Sequence, residues 1–213
     1  ADTCAGGLVI SQLYSGGGGD ASVYSHDFVE LHNRSASPIS LDGWSVQYSP
    51  STSSNWTRLQ LAGEVPAGGY WLVRLGSGGG GGFAVVGYDQ TGASLNLSAS
   101  AGKFVLAQTK DAFAASACPG AYADYLTWGS TNCNNVTFAS PGTSKSLQRG
   151  VSGCAGGGTP TQDFASGKPV WRGSATTPVL CGCNVANESN VTAEADGCQL
   201  VVSLPATATA DNV

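Results

Sequence analysis

Short β-branched and aromatic runs recur along the chain, separated by clusters of Gly, Ser, Pro and Asn. Leu8 to Tyr14 is the first, and the glycines Gly16–Gly19 end it. Phe28 to Leu31 follows. Trp44, Val46 and Tyr48 then alternate with Ser45 and Gln47, which places the three large side chains on one buried face of a strand. Trp56 to Leu61, Tyr70 to Leu75, Phe83 to Tyr88, Lys103 to Gln108 and Tyr122 to Trp128 come at similar spacing. No long stretch carries apolar residues at i, i+3, i+4 and i+7, so helix signals are nearly absent. Many short strands punctuated by turns predict an all-β fold, a sandwich or a barrel.

Turn signals fit that reading. Asp42-Gly43 turns the chain ahead of Trp44, and Val65-Pro66-Ala67-Gly68-Gly69 joins a φ fixed by proline to glycines free to take a positive one. The runs Gly16–Gly19 and Gly78–Gly82 cannot fold on their own account. Each is either a mobile loop tip or a segment packed closely under another backbone. Neither opens into a helix, so neither reads as a phosphate cradle. From Ser140 to Pro178 the composition turns to Gly, Ser, Thr and Pro with few apolar residues, which predicts irregular coil wrapping the sandwich. A β-prone segment then returns, Gln199-Leu200-Val201-Val202-Ser203-Leu204, after the sandwich is already complete. The expected organisation is a sandwich with wrapping coil over residues 1–178 and a cysteine-containing extension with one strand over residues 179–213.

Composition narrows the class of protein. With 41% hydrophobic residues among 213 the chain is no disordered polymer, and size scaling has it bury about 70% of its surface, enough for one core. No apolar run approaches the ~20 residues of a membrane span, so no membrane insertion is expected. Charged residues make up 11%, less than half the usual ~25%, and the net charge of −5 argues against nucleic acid as a partner. Seven Cys and no Met suit an oxidising compartment. The opening Ala1-Asp2-Thr3-Cys4 has neither a basic start nor an apolar signal core, as a mature exported chain would after processing. The expected location is extracellular, secreted or at the cell surface. Six sequons, at Asn33, Asn55, Asn96, Asn135, Asn187 and Asn190, are candidate glycan acceptors, although Ser/Thr-rich sequence also produces the pattern by chance.

Leu8-Val-Ile-Ser-Gln-Leu-Tyr-Ser-Gly-Gly-Gly-Gly19, His26-Asp-Phe-Val-Glu-Leu-His-Asn33, Leu41-Asp-Gly-Trp-Ser-Val-Gln-Tyr48 and Val65-Pro-Ala-Gly-Gly-Tyr-Trp-Leu-Val73 follow one another in order. Ala101-Gly-Lys-Phe-Val-Leu106, Ala123-Asp-Tyr-Leu-Thr-Trp-Gly129, Ser146-Leu-Gln-Arg149 and Asp163-Phe-Ala-Ser-Gly-Lys-Pro169 continue the series, with Cys118, Cys133 and Cys154 between them. Together they resemble the lamin-tail domain in its bacterial secreted form, over roughly residues 7–175. The resemblance implies an immunoglobulin-like β-sandwich of about a hundred residues, here with insertions and long irregular loops. It also suggests that Cys118 pairs with Cys133. Members of that family occur as stand-alone exported proteins and as modules beside extracellular nucleases or phosphatases. They share no catalytic residues to carry over, and residues 181–213 have no counterpart in the resemblance.

His26, Asp27, Glu30 and His32 are the only compact group of metal-ligating or acid–base residues. On a strand, period two puts Glu30 and His32 on one face with Phe28, and Asp27 on the other with Val29 and Leu31. A metal site needs three or four ligands converging, so the expectation is that Asp27 and Glu30 bond turn amides and edge groups while both His sit at the surface. Calcium on loop carboxylates such as Asp20 is the better metal reading, yet neither metal nor cofactor is expected. Two His and no Gly-x-Ser-x-Gly elbow give no nucleophilic centre, and nothing selects a catalytic pair from fourteen acids, so no enzyme is expected. Cys181-x-Cys183 with Cys198 is weak as a zinc motif, and disulfides fit export better. Trp44, Trp56, Trp71, Trp128 and Trp171 either line a sugar-binding groove or fill the core, and alternate strand positions favour the core.

Seven cysteines leave one without an intrachain mate. Cys154 is expected to pair with Cys181 or Cys183 and Cys198 with the other, so that Cys4 remains for a bond between chains. The surplus strand Gln199 to Leu204 and the odd cysteine point to a non-catalytic extracellular subunit that associates with its own copies through strand exchange, as a surface filament or matrix fibre. The alternative is a monomeric cell-surface module that binds polysaccharide or protein. A third reading, an accessory domain of a nuclease, would want a basic groove, which the acidic balance opposes.

Overall fold

The computed structural model describes residues 7–133, 137–156, 160–181, 192–196 and 199–203. In chain order the strands are β1 (Leu8–Tyr14), β2 (Phe28–Asn33), β3 (Ile39–Ser40), β4 (Ser45–Pro50), β5 (Thr57–Gln60), β6 (Glu64–Val65) and β7 (Tyr70–Arg74). They continue as β8 (Gln90–Thr91), β9 (Gly102–Ala107), β10 (Asp124–Trp128), β11 (Ser146–Arg149), β12 (Phe164–Gly167), β13 (Thr192–Asp196) and β14 (Gln199–Ser203). One sheet has six strands in the order β12-β11-β1-β2-β7-β8 and the other four in the order β10-β9-β4-β5. Every pairing is antiparallel except the short one between β7 and β8. The fold is all-β, as the strand pattern predicts, and of the sandwich and the barrel it is the sandwich that the resemblance implies.

Period two decides what fills the space between the sheets. Val29 and Leu31 of β2, Val46 and Tyr48 of β4, Phe104 and Leu106 of β9, and Leu126 and Trp128 of β10 all enter one buried cluster. Strand β1 breaks the rhythm: Ile10 and Leu13 are three residues apart, yet both belong to that cluster. A bulge resets the alternation, because the register with β2 shifts between Ile10 and Gln12. The shift takes Ile10 off the β11 ladder, which begins at Gln12↔Gln148. An ion pair occupies the position instead. The Ile10 amide donates to Asp124 Oδ2 at 2.8 Å, and Arg149 Nε donates to the Ile10 carbonyl at 2.9 Å. Arg149 Nη2 closes the triangle on Asp124 Oδ2 at 2.7 Å. Asp124 lies on β10, so this pair also ties one sheet to the other.

Each sheet is covered on its outer face as well. Trp56, Val105, Ala107, Tyr125 and Cys133 form a small core outside the four-stranded sheet, with Phe113 and Cys118 packed against it. Tyr14, Phe28, Leu72 and Val85 do the same outside the six-stranded sheet, with Tyr24 and Trp171. The first glycine run packs under backbone, the second of the two options above, and the run Gly78–Gly82 is the exposed loop that covers it. Gly18 bridges Gly81, and the Gly78 amide donates to the Gly17 carbonyl at 3.1 Å. A Cβ on Gly17 would sit 2.1 Å from the His26 carbonyl carbon, so no larger residue fits.

Three elements differ from the sequence reading. Phe83 to Tyr88 is not a strand: the outer side of β7 is taken by β8, and Phe83, Val86 and Tyr88 are exposed. The segment expected to be coil, 140–178, contains β11 and β12, which extend the six-stranded sheet. The C-terminal strand is not alone, since Gln199 to Ser203 pairs with Thr192 to Asp196 as an antiparallel hairpin. Its expected mate in another copy is therefore replaced, on this edge, by its own chain. Ala and acidic residues in Thr192–Asp196 disfavour strands and conceal β13. Leu204 lies outside the described residues.

Lys103 sits on the outer face of β9 and is fully buried. Its Nζ donates to the Ser53 carbonyl at 2.6 Å, the Ala117 carbonyl at 2.8 Å and Asn132 Oδ1 at 2.6 Å; burial holds its pKa below the usual lysine value. Lys103→Met keeps the stem and strands three acceptors, a loss of about 3 kcal/mol by the usual cost of unmade charged hydrogen bonds. Thermal melting should show a Tm lower by roughly 6–12 °C; an unchanged Tm would mean the ammonium does not hold these loops.

Candidate functional site

The richest concentration of polar chemistry lies outside the six-stranded sheet, on the face of β2 opposite Val29 and Leu31. Glu30 and His32 share that face, as period two requires, and both are fully buried. The chain after Trp171 crosses over them. Arg172 donates from its backbone amide to Glu30 Oε2 at 2.6 Å, from Nη2 to Oε1 at 2.7 Å and from Nε to both oxygens at 3.2 Å. Ser11, the bulge residue of β1, donates to Glu30 Oε1 at 2.5 Å. The guanidinium lies 4.0 Å from the centroid of the Tyr70 ring, and Arg172 Nη1 donates to the Tyr70 hydroxyl at 2.8 Å. Tyr70 pairs with His32 across the strands and stacks on it, with ring centroids 4.5 Å apart.

His32 Nε2 faces two carbonyls, Gly68 at 3.1 Å and Val179 at 2.9 Å. Carbonyls only accept, so Nε2 carries the hydrogen and Nδ1 presents a lone pair. Burial pushes the imidazole below its ordinary pKa. No geometric hydrogen bond reaches Nδ1, but the Gly153 backbone lies against the ring there and favours the protonated imidazole, as the Gly68 and Val179 carbonyls do. Val151, Ser152 and Gly153 above it all have positive φ, of 51°, 55° and 99°, a strained stretch for the first two. Beside this stretch a cleft of about 430 Å³ opens over Gln12, Gln148, Arg149, Val151 and Ser166.

Asp27, on the other face, receives the Gly17 amide on Oδ1 at 2.8 Å and the Leu97 amide on Oδ2 at 2.7 Å. It bonds turn amides as expected and stands apart from Glu30 and His32. Glu30 also takes a backbone amide, that of Arg172, and adds the Ser11 hydroxyl and the Arg172 guanidinium. His26 is half-buried, with Nδ1 2.9 Å from Ser25 Oγ. The surface position expected for His32 is corrected: the coil crossing at Val179 buries it.

The remaining candidates separate clearly. Cys118 is bonded to Cys133 and Cys154 to Cys181; Cys4, Cys183 and Cys198 lie outside the described residues. Asn33 is a poor sequon, because it is buried and its Nδ2 donates to the Ser37, Val65 and Pro66 carbonyls. Asn55 and Asn96 are exposed, and Asn135, Asn187 and Asn190 are outside the described residues. The five tryptophans do not share a groove. Trp128, Trp44 and Trp71 pack in or against the central core, while Trp56 and Trp171 belong to the two outer ones. Asp20 is exposed at a loop tip. Among the described residues, the only group of three potential metal ligands is His32, Cys154 and Cys181. Arg172 and Arg149 escaped the sequence reading; the signal was the scarcity of charge, since a buried acid in a chain with nine basic residues must claim one of them.

Compared with known families, the chain matches the model described as Lamin Tail Domain over residues 2–117. The match takes in β1 to β9, and the strands β10 to β12 that complete both sheets lie beyond it. No curated protein matches the chain.

Burial pushes the Asp27 carboxyl from 3.8 up to about 7, against the two amide hydrogen bonds. The folded chain therefore holds this proton over a range where the unfolded chain has lost it, so Asp27's contribution to stability falls as pH rises from about 4 to about 7 and is level above that. Comparing melts of the native chain and Asp27→Asn from pH 4 to pH 8 isolates the effect. The native chain should lose stability relative to the variant across that range; parallel curves would remove Asp27 as the titrating group.

Proposed function

The chain belongs to the lamin tail domain family, and from that membership we propose that it is a non-catalytic, exported structural subunit that associates with copies of itself. The family is a structural one with an immunoglobulin-like fold. In the described part of this chain four buried charged side chains are engaged in structural bonds: Glu30 with Arg172, Asp124 with Arg149, Asp27 with two amides and Lys103 with three acceptors. Two disulfides fit an oxidising exterior, and no helix among the described residues is long and apolar enough to cross a membrane.

The observation that carries the assembly reading is the hairpin of β13 and β14. Among the described residues it forms a sheet of its own, and an isolated two-stranded hairpin is marginal in water. A further strand would stabilise it. The six-stranded sheet ends in β12, whose Ala165 and Ser166 are exposed, and edge addition there in a second copy supplies that strand. A bond from Cys4 to a neighbour would lock the contact. The alternative, a monomeric module binding polysaccharide, draws support from a second cleft of about 520 Å³ lined by Phe113, Tyr122 and Asp111, where an exposed ring and a carboxylate suit a sugar.

Light scattering on the full chain and on a chain ending at Cys181 separates the two. The first should be larger than a monomer and the second monomeric with an unchanged Tm. A full chain that stays monomeric at high concentration overturns assembly and leaves the binding module.

A further inference from the structure

We infer that His32, Cys154 and Cys181 form a binding site for a zinc-like d¹⁰ cation when the Cys154–Cys181 bond is reduced. One nitrogen and two sulfurs lie within 4.8 Å of one another. Zinc takes thiolate at about 2.3 Å and imidazole at about 2.0–2.1 Å, which sets neighbouring ligand atoms ~3.8 Å apart in a tetrahedron. Opening the bond therefore asks for small side-chain movements.

The imidazole is the second, independent observation. His32 is fully buried, its Nε2 hydrogen is held by the Gly68 and Val179 carbonyls, and no geometric hydrogen bond reaches Nδ1, beside which the Gly153 backbone stands. Carbonyls that hold the hydrogen of one ring nitrogen orient the other toward a metal in metal-binding histidines, and the Gly68 and Val179 carbonyls hold this ring in that way. Tyr70 stacks on the ring and fixes its plane. The two cysteines are half-buried, so reductant and metal can reach them. The chemistry balances. A phosphine reductant takes up the oxygen of one water and leaves two thiols. The cation then displaces both thiol protons, binds two thiolates and the neutral imidazole, and keeps a fourth position for water. The cystine and the metal thus compete for the same sulfurs.

The full chain, reduced with a water-soluble phosphine and desalted without air, is titrated with Co²⁺ and then with Zn²⁺. One equivalent of Co²⁺ should produce a thiolate-to-metal absorption band, which Zn²⁺ abolishes, and the oxidised chain should produce none. The band should vanish in Cys154→Ser/Cys181→Ser, and His32→Gln should bind at least about tenfold more weakly. As a readout without substitution, Zn²⁺ should protect Cys154 and Cys181 of the native sequence from iodoacetamide, mapped by mass. A band of equal strength in the double variant, or alkylation of both cysteines undiminished by Zn²⁺, overturns the site.

Discussion

A carboxylate buried on the face of a sheet has to be neutralised or matched by a cation and hydrogen bonds, and Glu30 is matched. Its Arg172 partner arrives from 142 residues away, so the wrapping segment must cross the six-stranded sheet at that point and in that direction. Much follows from this crossing. Arg172 brings its guanidinium onto Tyr70, Val179 reaches His32, and Cys181 comes within bonding distance of Cys154. Removing the Arg172 charge would leave the buried Glu30 carboxylate without its counter-ion, which is the expensive way to break such a pair. The Glu30–Arg172 pair is best understood as a fastener for the wrap, since an apolar pair could hold the layers but would not fix the path.

Arg149 performs the same service at the bulge. A bulged strand loses ladder partners, and unpaired backbone groups in a buried position cost about as much as any unmade hydrogen bond. Here one ion pair takes both the amide and the carbonyl of Ile10. Because Asp124 belongs to the opposite sheet, repair of the bulge and attachment of the two layers are one interaction. A chain with few charges has placed several of them inside, as ties between segments distant in sequence.

This explains which parts of the fold were legible. Alternation in Trp44, Val46 and Tyr48 is a local property, and β4 forms where it predicts. Strand β11 has one core residue, Leu147, among Ser146, Gln148 and Arg149, and exists because β1 offers it an edge; no local pattern could reveal that. The same division runs through the site. Period two placed Glu30 and His32 on one face correctly, but their burial depends on Arg172, in sequence that reads as coil, and on Val179, just beyond it. Asn33 shows the converse error, a local motif whose side chain is spent on tertiary hydrogen bonds.

The wrap also sets what the C-terminal region is free to do. Val179 donates its amide to the Gly68 carbonyl at 2.8 Å and offers its own carbonyl to His32, and Cys181 is bonded to Cys154. The sandwich therefore keeps hold of the chain as far as Cys181, and β13 and β14 begin only after that anchor. A force on the hairpin would meet two attachments there, the disulfide into the segment between β11 and β12 and the Val179–His32 contact into β2. The state of the Cys154–Cys181 bond therefore decides whether the chain beyond Cys181 is held covalently or by hydrogen bonds alone.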